Sequence, residues 1–349
     1  MLKPGKVIKR SFLFILFIII VLSVWQYELV FYGISQAKGQ LRVLLNTRPL
    51  AEVMKDPAFP DSLKQKIQLI QEIRRFAVDS LGINDSQNYT TLYDQHGKPI
   101  LWVVTASEPY QLKAKEWRFP LLGSFSYKGF FDYEKCVQQE SSLKAQGYDT
   151  DISEVSAWST LGWFRDPILS SMLHKAEGSL ASLIIHELTH GTLFVKDNLE
   201  YNENLADFVG DYGALRFLTF KYGTDSPQYL RYLNRKIYND KYYNHVLRGA
   251  QQLDSLYNTF GVADSKARKD QLKIGLIRQI VQTMDTLTPL LPSRNISMSS
   301  DSLLPNNAFF VSYQTYRKKQ NMFETEFEDK FGRDFKKYLT YLKKTYPSL

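Results

Sequence analysis

The sequence predicts an α+β protein with a small mixed sheet and a largely helical C-terminal half, preceded by one N-terminal transmembrane helix. Three observations carry this. The short β-branched and aromatic run Ile100–Ala106 (ILWVVTA) reads as a buried strand in the first half of the chain. From Ser179 onward apolar residues recur at helical spacing and strand signals become scarce. At the start, a basic segment precedes a strongly apolar one. With 349 residues, 44% hydrophobic and 14% aromatic, the chain can bury a substantial core and lacks the composition of a disordered protein.

Lys3, Lys6, Lys9 and Arg10 lie ahead of the apolar run Phe12–Trp25, which continues through Tyr27, Leu29, Val30, Phe31 and Tyr32. The total is roughly twenty residues, the length a helix needs to cross the hydrocarbon core. A cleaved signal would need small residues after the run, and Trp25-Gln26-Tyr27-Glu28 offers none. The expectation is a cytoplasmic tail at 1–10, a signal anchor at 11–32, and a single domain at 33–349 on the outer side, since positive charge stays inside.

Within that domain, Leu63, Ile67, Ile70, Ile73, Phe76 and Ala77 make a helical stripe over Asp61–Leu81, between Pro60 and Gly82. Phe119–Phe131 carries Gly and Pro breaks and reads as irregular strand and turn. Asp132 can cap a helix through Cys136 to Gln146, which Gly147 stops. A second strand is expected around Val155–Phe164. Helices follow at Ser179–Val195, Glu203–Phe220, Gln228–Phe260 and Lys266–Met284, then a Pro/Ser/Asn-rich loop at Thr288–Asn307 and a last helical stretch at Ala308–Tyr341.

The formal net charge of +8 is spread along the chain with no basic stripe interleaved with aromatics, which argues against nucleic acid as a partner. Cys136 is the sole cysteine, so no intrachain disulfide forms, and its helical position fits a small buried apolar residue. The Arg317-Lys318-Lys319 and Lys336-Lys337 clusters read as a solvated helix face, with contact to anionic lipid as the alternative.

The chemistry lies in Ser182–His190, where H-E-x-x-H falls inside an apolar helical pattern. Positions four apart share a helix face, so His186 and His190 can aim ring nitrogens at one ion with Glu187 beside it. Five His in such a chain produce this motif by chance in roughly 0.3% of cases, so coincidence is a poor account of it. Two imidazoles suit Zn²⁺, and a catalytic zinc site takes three protein ligands and keeps one position open. Glu203, thirteen residues after His190, can supply the third from a following helix after a turn at Lys196-Asp197-Asn198. Asp207, four positions on, can accept the second N–H of a ligating histidine and fix its tautomer.

The pair of motifs, H-E-x-x-H followed by N-E-x-x-x-D at Asn202–Asp207, resembles the gluzincin metallopeptidases, the thermolysin-like group. That resemblance implies a zincin-like domain, one Zn²⁺ held by His186, His190 and Glu203, general base Glu187 acting on a zinc-bound water, and Asp207 bonded to His186. The connection of twelve residues between His190 and Glu203 is shorter than in thermolysin. The chain is also similar to a bacterial family of predicted membrane-associated aminopeptidases. The likeness runs through Tyr32–Arg48 (YGISQAKGQLRVLLNTR), Ile73–Gly82 (IRRFAVDSLG), Trp117–Phe131 (WRFPLLGSFSYKGFF), Gly147–Asp149, Ala157–Pro167 (AWSTLGWFRDP) and the zinc motif, with Asn306-Asn307-Ala308, Tyr313 and Tyr316 resembling its C-terminal block. Members commonly carry a lipid-attachment Cys near the N-terminus, and the expected anchor here is the helix itself.

Gluzincins bind substrate backbone along an edge strand ahead of the motif helix. Ser159, Thr160, Gly162 and Trp163 can form that edge, while the same stretch can equally be core aromatics. Arg165, Tyr212, Tyr313 and Tyr316 are candidates for stabilising an oxyanion, and Asn307 is a further substrate-contact candidate. His174 and His245 have no partner at ligand spacing. The function expected is zinc-dependent hydrolysis of peptide substrates, as an aminopeptidase. A zinc endopeptidase is one alternative, and a non-catalytic, membrane-tethered binding protein with a vestigial zinc site is the other.

Overall fold

A computed structural model of the chain describes residues 26–119, 123–155, 165–284, 304–317 and 320–346. It forms two compact units, Met1–Asn46 and Thr47–Leu349. In the first, α1 (Tyr27–Leu45) has Glu28 in its first turn and Arg42 in its last, both in register with the helix macrodipole. The expected membrane span lies for most of its length outside the described residues. Among the described residues no helix is long and apolar enough to cross a membrane.

The second unit is α+β, with small mixed sheets followed by helices. Its first elements are β1 (Thr47–Pro49), α2 (Leu50–Lys55) and α3 (Asp61–Phe76). The expected stripe forms: Ile67, Leu69, Ile70, Ile73 and Phe76 are buried, and a π-turn at Ala77–Leu81 carries the chain to Gly82, whose φ of 74° ends it. Strands β2 (Thr91–Tyr93), β3 (Trp102–Ser107), β4 (Trp117–Phe119), β5 (Gly123–Phe125) and β6 (Tyr127–Phe130) follow, so the stretch read as irregular strand and turn holds a hairpin, β4–β5, and one sheet strand.

Asp132 caps α4 (Tyr133–Ala145) by accepting from the Glu134 and Lys135 amides, and Gly147 at φ 89° follows it. Cys136 and Leu143, fully buried, pack α4 onto the sheet β6-β3-β7, with β3 central and antiparallel to both neighbours. The third strand of that sheet is β7 (Asp149–Glu154). This strand is not among those expected from the sequence, because β7 (DTDISE) carries three acidic residues among its six, and the strand expected around Val155–Phe164 lies, Val155 apart, outside the described residues. Asp149 is tolerated there because a buried lysine meets it. Residues 156–164 lie outside the described residues. The second sheet, β1-β2-β8, pairs β2 antiparallel with β1 and parallel with β8 (Ile168–Leu169), just ahead of the helical half.

After a 3₁₀ turn at Ser170–His174 come α5 (Glu177–His190), α6 (Leu199–Tyr222), α7 (Pro227–Tyr257) and α8 (Lys266–Met284). α7 and α8 close on each other through Val246, Ala250, Leu253 and Tyr257 against Ile277 and Ile280. The last stretch is helical as expected, in three helices: α9 (Asn307–Arg317), α10 (Gln320–Phe331) and α11 (Phe335–Thr345). Gly332 and Arg333, at φ 54° and 64°, break α10 from α11, and the turn lets Phe327 and Phe335 pack with Phe208 and Tyr212 of α6.

Candidate metal centre

α5 and α6 run side by side as the most extensively packed pair of elements. Two glycines of α6 permit this. A Cβ on Gly210 would stand 2.8 Å from the Ser182 carbonyl oxygen and 3.2 Å from the His186 Cβ, and one on Gly213 would meet Ile185 and Leu81 at 2.8 and 2.9 Å. α5 stops at His190, short of the expected Val195. There Thr189 and Thr192 bond back to the Ile185 and Leu188 carbonyls at 2.7 and 2.9 Å. The chain then reverses through Asp197 at φ 57° to the Asn198 side chain, which caps α6 by accepting from the Tyr201 amide. Asn202 fixes the reversal from inside, its amide bonding both the N–H and the C=O of Val195 at 2.8 Å. Asn202 opens the N-E-x-x-x-D motif while Gly210 carries no chemical signal in the sequence, and together they set how α6 meets α5.

The result is a convergence of three side chains. The Nε2 atoms of His186 and His190 are 3.1 Å apart, and a Glu203 Oε2 lies 3.5 Å from the first and 3.7 Å from the second. Ligands at 2.0–2.1 Å from a tetrahedral ion stand about 3.3 Å from each other, so the three atoms already approximate one face of such a site. His190 is 6% and Glu203 8% exposed. Asp207 Oδ1 lies 3.0 Å from His186 Nδ1, so an Nδ1–H can donate to that carboxylate and orient the ring with Nε2 toward His190 and Glu203.

The electrostatics fit a cation. Burial opposes charge on His186, but the bonded carboxylates of Asp207 and Glu203 outweigh it and hold its pKa well above the usual value. Burial lowers His190 to about 4, and its Nδ1 has no hydrogen-bond partner among the described residues. Burial, joined by the charges of Glu203, Asp166 and Asp207 against that of His186, lifts Glu187 to about 7. Three carboxylates thus surround two imidazoles whose nitrogens face one another, and a divalent ion turns that repulsion into ligation. The buried cluster of His186, His190 and Glu203 could hold a metal.

The other predicted residues separate. Arg165 is exposed beside buried Asp166, and Thr160, Gly162 and Trp163 lie outside the described residues. Tyr212 stacks in the aromatic core on Phe208 and Phe335, away from the role first considered. Tyr313 packs on Tyr242, Tyr243 and Phe309, while Tyr316 lies on α9 with its side chain outside the described atoms. Asn307 is fully buried: its amide donates to the Glu108 and Pro109 carbonyls and accepts from the Tyr257 hydroxyl, which leaves it a support of the fold. His245 bonds the Ile280 carbonyl at 2.9 Å, inside the helical half.

No curated protein and no solved structure matches the chain. Residues 31–346 match the family described as "Putative aminopeptidase", which spans both motif helices and all the strands, and the chain belongs to that family.

Proposed function

We propose that the protein is a zinc-dependent peptidase in which His186, His190 and Glu203 hold the ion and Glu187 is the general base. The single observation that carries this reading is the convergence of two Nε2 atoms and a buried carboxylate within ligand spacing, with a second buried carboxylate at the next residue of the same helix. A bound zinc ion supplies Lewis acidity there, lowering the pKa of a water and polarising the scissile carbonyl. Glu187 takes the proton from the attacking water and passes it to the leaving amine, a task suited to a carboxylate lifted toward neutrality. Asp207 holds the His186 ring by its Nδ1–H, so the lone pair stays directed at the site.

Aminopeptidase action is the form that family membership favours. An endopeptidase uses the same centre and differs only in where the substrate's N-terminus lies. A purified protein incubated with a peptide library, with and without chelator, separates them: stepwise N-terminal loss supports the first, internal cuts the second. For the base itself, Glu187→Gln is expected to keep its zinc and lose turnover, while His190→Ala loses both. Equal zinc and equal turnover in Glu187→Gln and wild type would exclude the mechanism, and a fourth protein ligand closing the site would favour a non-catalytic binding protein.

We further propose that the domain works outside the cytoplasm, tethered through the apolar segment that follows Lys3, Lys6, Lys9 and Arg10. Protease added to intact spheroplasts is expected to digest a C-terminal tag; a fully protected tag beside a digested external control would place the domain inside.

A further inference from the structure

Six of the fourteen large apolar side chains that stand exposed among the described residues lie on one helix, α1: Tyr27, Val30, Phe31, Ile34, Leu41 and Leu45. They share a face. Counted in heptads from Tyr27, the a positions are Tyr27, Ile34 and Leu41 and the d positions Val30, Ala37 and Leu44, so the whole seam is apolar and uncharged. Phe31 and Leu45 widen it at e, and Lys38 is the only charged residue at e or g. The opposite face is the covered one, with Gly39 and Val43 buried and Leu29, Tyr32 and Gln36 half-buried. What remains open is a stripe roughly 27 Å long at 1.5 Å per residue. A contiguous apolar surface of that size marks a docking face. Lipid reaches only one end of it. Past Tyr32, where the anchor expected at 11–32 ends, Leu41 and Leu45 stand roughly 13–20 Å farther along the helix, beyond a headgroup layer of about 5–8 Å. Leu41 is 55% and Leu45 74% exposed, so the far end calls for a protein partner. An uncharged seam matches a copy of itself: about a two-fold axis along the helix, each a and d side chain meets its own counterpart. The seam covers fewer than three heptads, short for free helices. Two chains held in one membrane are already parallel and concentrated, which offsets that shortness.

We propose that the open stripe of α1 pairs with the same stripe of a second copy, so that the protein is a parallel dimer; the parallel sense rests on the tether proposed above, and the pairing is independent of the peptidase reading. The test is cross-linking of the full chain in its membranes, with single cysteines at Ile34 or Leu41 on the seam and at Glu28 or Arg42, exposed beside it. Native Cys136 is fully buried and stays out of the reaction. Under mild oxidation Ile34→Cys and Leu41→Cys are each expected to give at least about ten times the disulfide-linked dimer of Glu28→Cys and Arg42→Cys, because only the seam brings two Cα atoms within the roughly 7 Å that a disulfide spans. In detergent, sedimentation should show wild type as a dimer and Leu41→Glu as a monomer, with melting temperature and turnover unchanged because the side chain is exposed. A monomeric wild type, equal cross-linking at all four positions, or a Leu41→Glu protein that remains dimeric would overturn the pairing. Cross-links that form only when Ile34→Cys and Leu41→Cys chains are mixed would show an antiparallel pair and overturn the parallel sense together with the tether. Seam cross-links in a protein that cleaves no peptide would remove the peptidase reading and leave the dimer standing.

Discussion

Two polar clusters are buried in the same domain on opposite terms. In the first, the Lys273 ammonium bonds the Asp149 carboxylate and the Pro109 carbonyl, Asp149 also accepts from the Asn307 backbone N–H at 2.9 Å, and the Asn307 side-chain oxygen accepts from Tyr257 at 2.7 Å. Each charge there has its opposite, and the bonds join β7 to α7, α8 and α9. In the second, between α5 and α6, Glu187, Glu203 and Asp207 crowd two imidazoles, and a ring nitrogen of His190 lacks a partner among the described residues. A satisfied network holds elements together and needs nothing further. Three carboxylates around two imidazoles with Nε2 atoms 3.1 Å apart suit a cation, and burial leads the shifts that raise Glu187 and lower His190.

The difference can be broken from either side. The largest effect is expected at the metal cluster: Glu203→Gln, nearly isosteric, should weaken zinc binding at least about 100-fold in chelator competition. The same substitution should leave the metal-free protein within about 1 kcal/mol of wild type, because it removes one of several crowded carboxylates. Lys273→Met should do the reverse, costing about 1–3 kcal/mol in urea unfolding by leaving half-buried Asp149 without its cation, while turnover per folded molecule stays at the wild-type level. Gly210→Ala sharpens the comparison, since its Cβ would press on Ser182 and His186. It should cost about 1–3 kcal/mol and weaken zinc binding with it by levering α6 away from α5, whereas a change in stability alone would separate the helix spacing from the site. The smallest effect is expected for Tyr257→Phe, about 1 kcal/mol from the unpaired Asn307 carbonyl, with zinc affinity unmoved.

The first motif was legible because its chemistry is local. H-E-x-x-H fixes both histidines and Glu187 on one helix, and the four-residue step from Glu203 to Asp207 fixes the relation of those two. Helix limits marked by Asp132, Gly82 and Gly147 were equally local, because capping and left-handed φ are demands on single residues. What the sequence hid is long-range. Lys273 looks like any lysine of a polar helix until Asp149 is seen against it, and Asp149 in turn obscured β7 by breaking its apolar pattern. Asn307 resembled a substrate contact because a polar residue in a recognised block invites that reading, yet its bonds run to the backbone of Glu108 and Pro109, far away in sequence. Gly210 acts by the absence of a side chain.

The central claim is that α5 and α6 converge to ligate one zinc ion. X-ray absorption on the zinc-loaded protein tests it most directly, run beside Glu203→Gln. The account predicts one zinc per chain with two imidazole nitrogens and carboxylate and water oxygens at about 2.0–2.1 Å, and no sulfur. In Glu203→Gln one protein oxygen is expected to be lost from the shell. A protein that takes up no zinc, or a wild-type ligand shell that Glu203→Gln leaves unaltered, would contradict it.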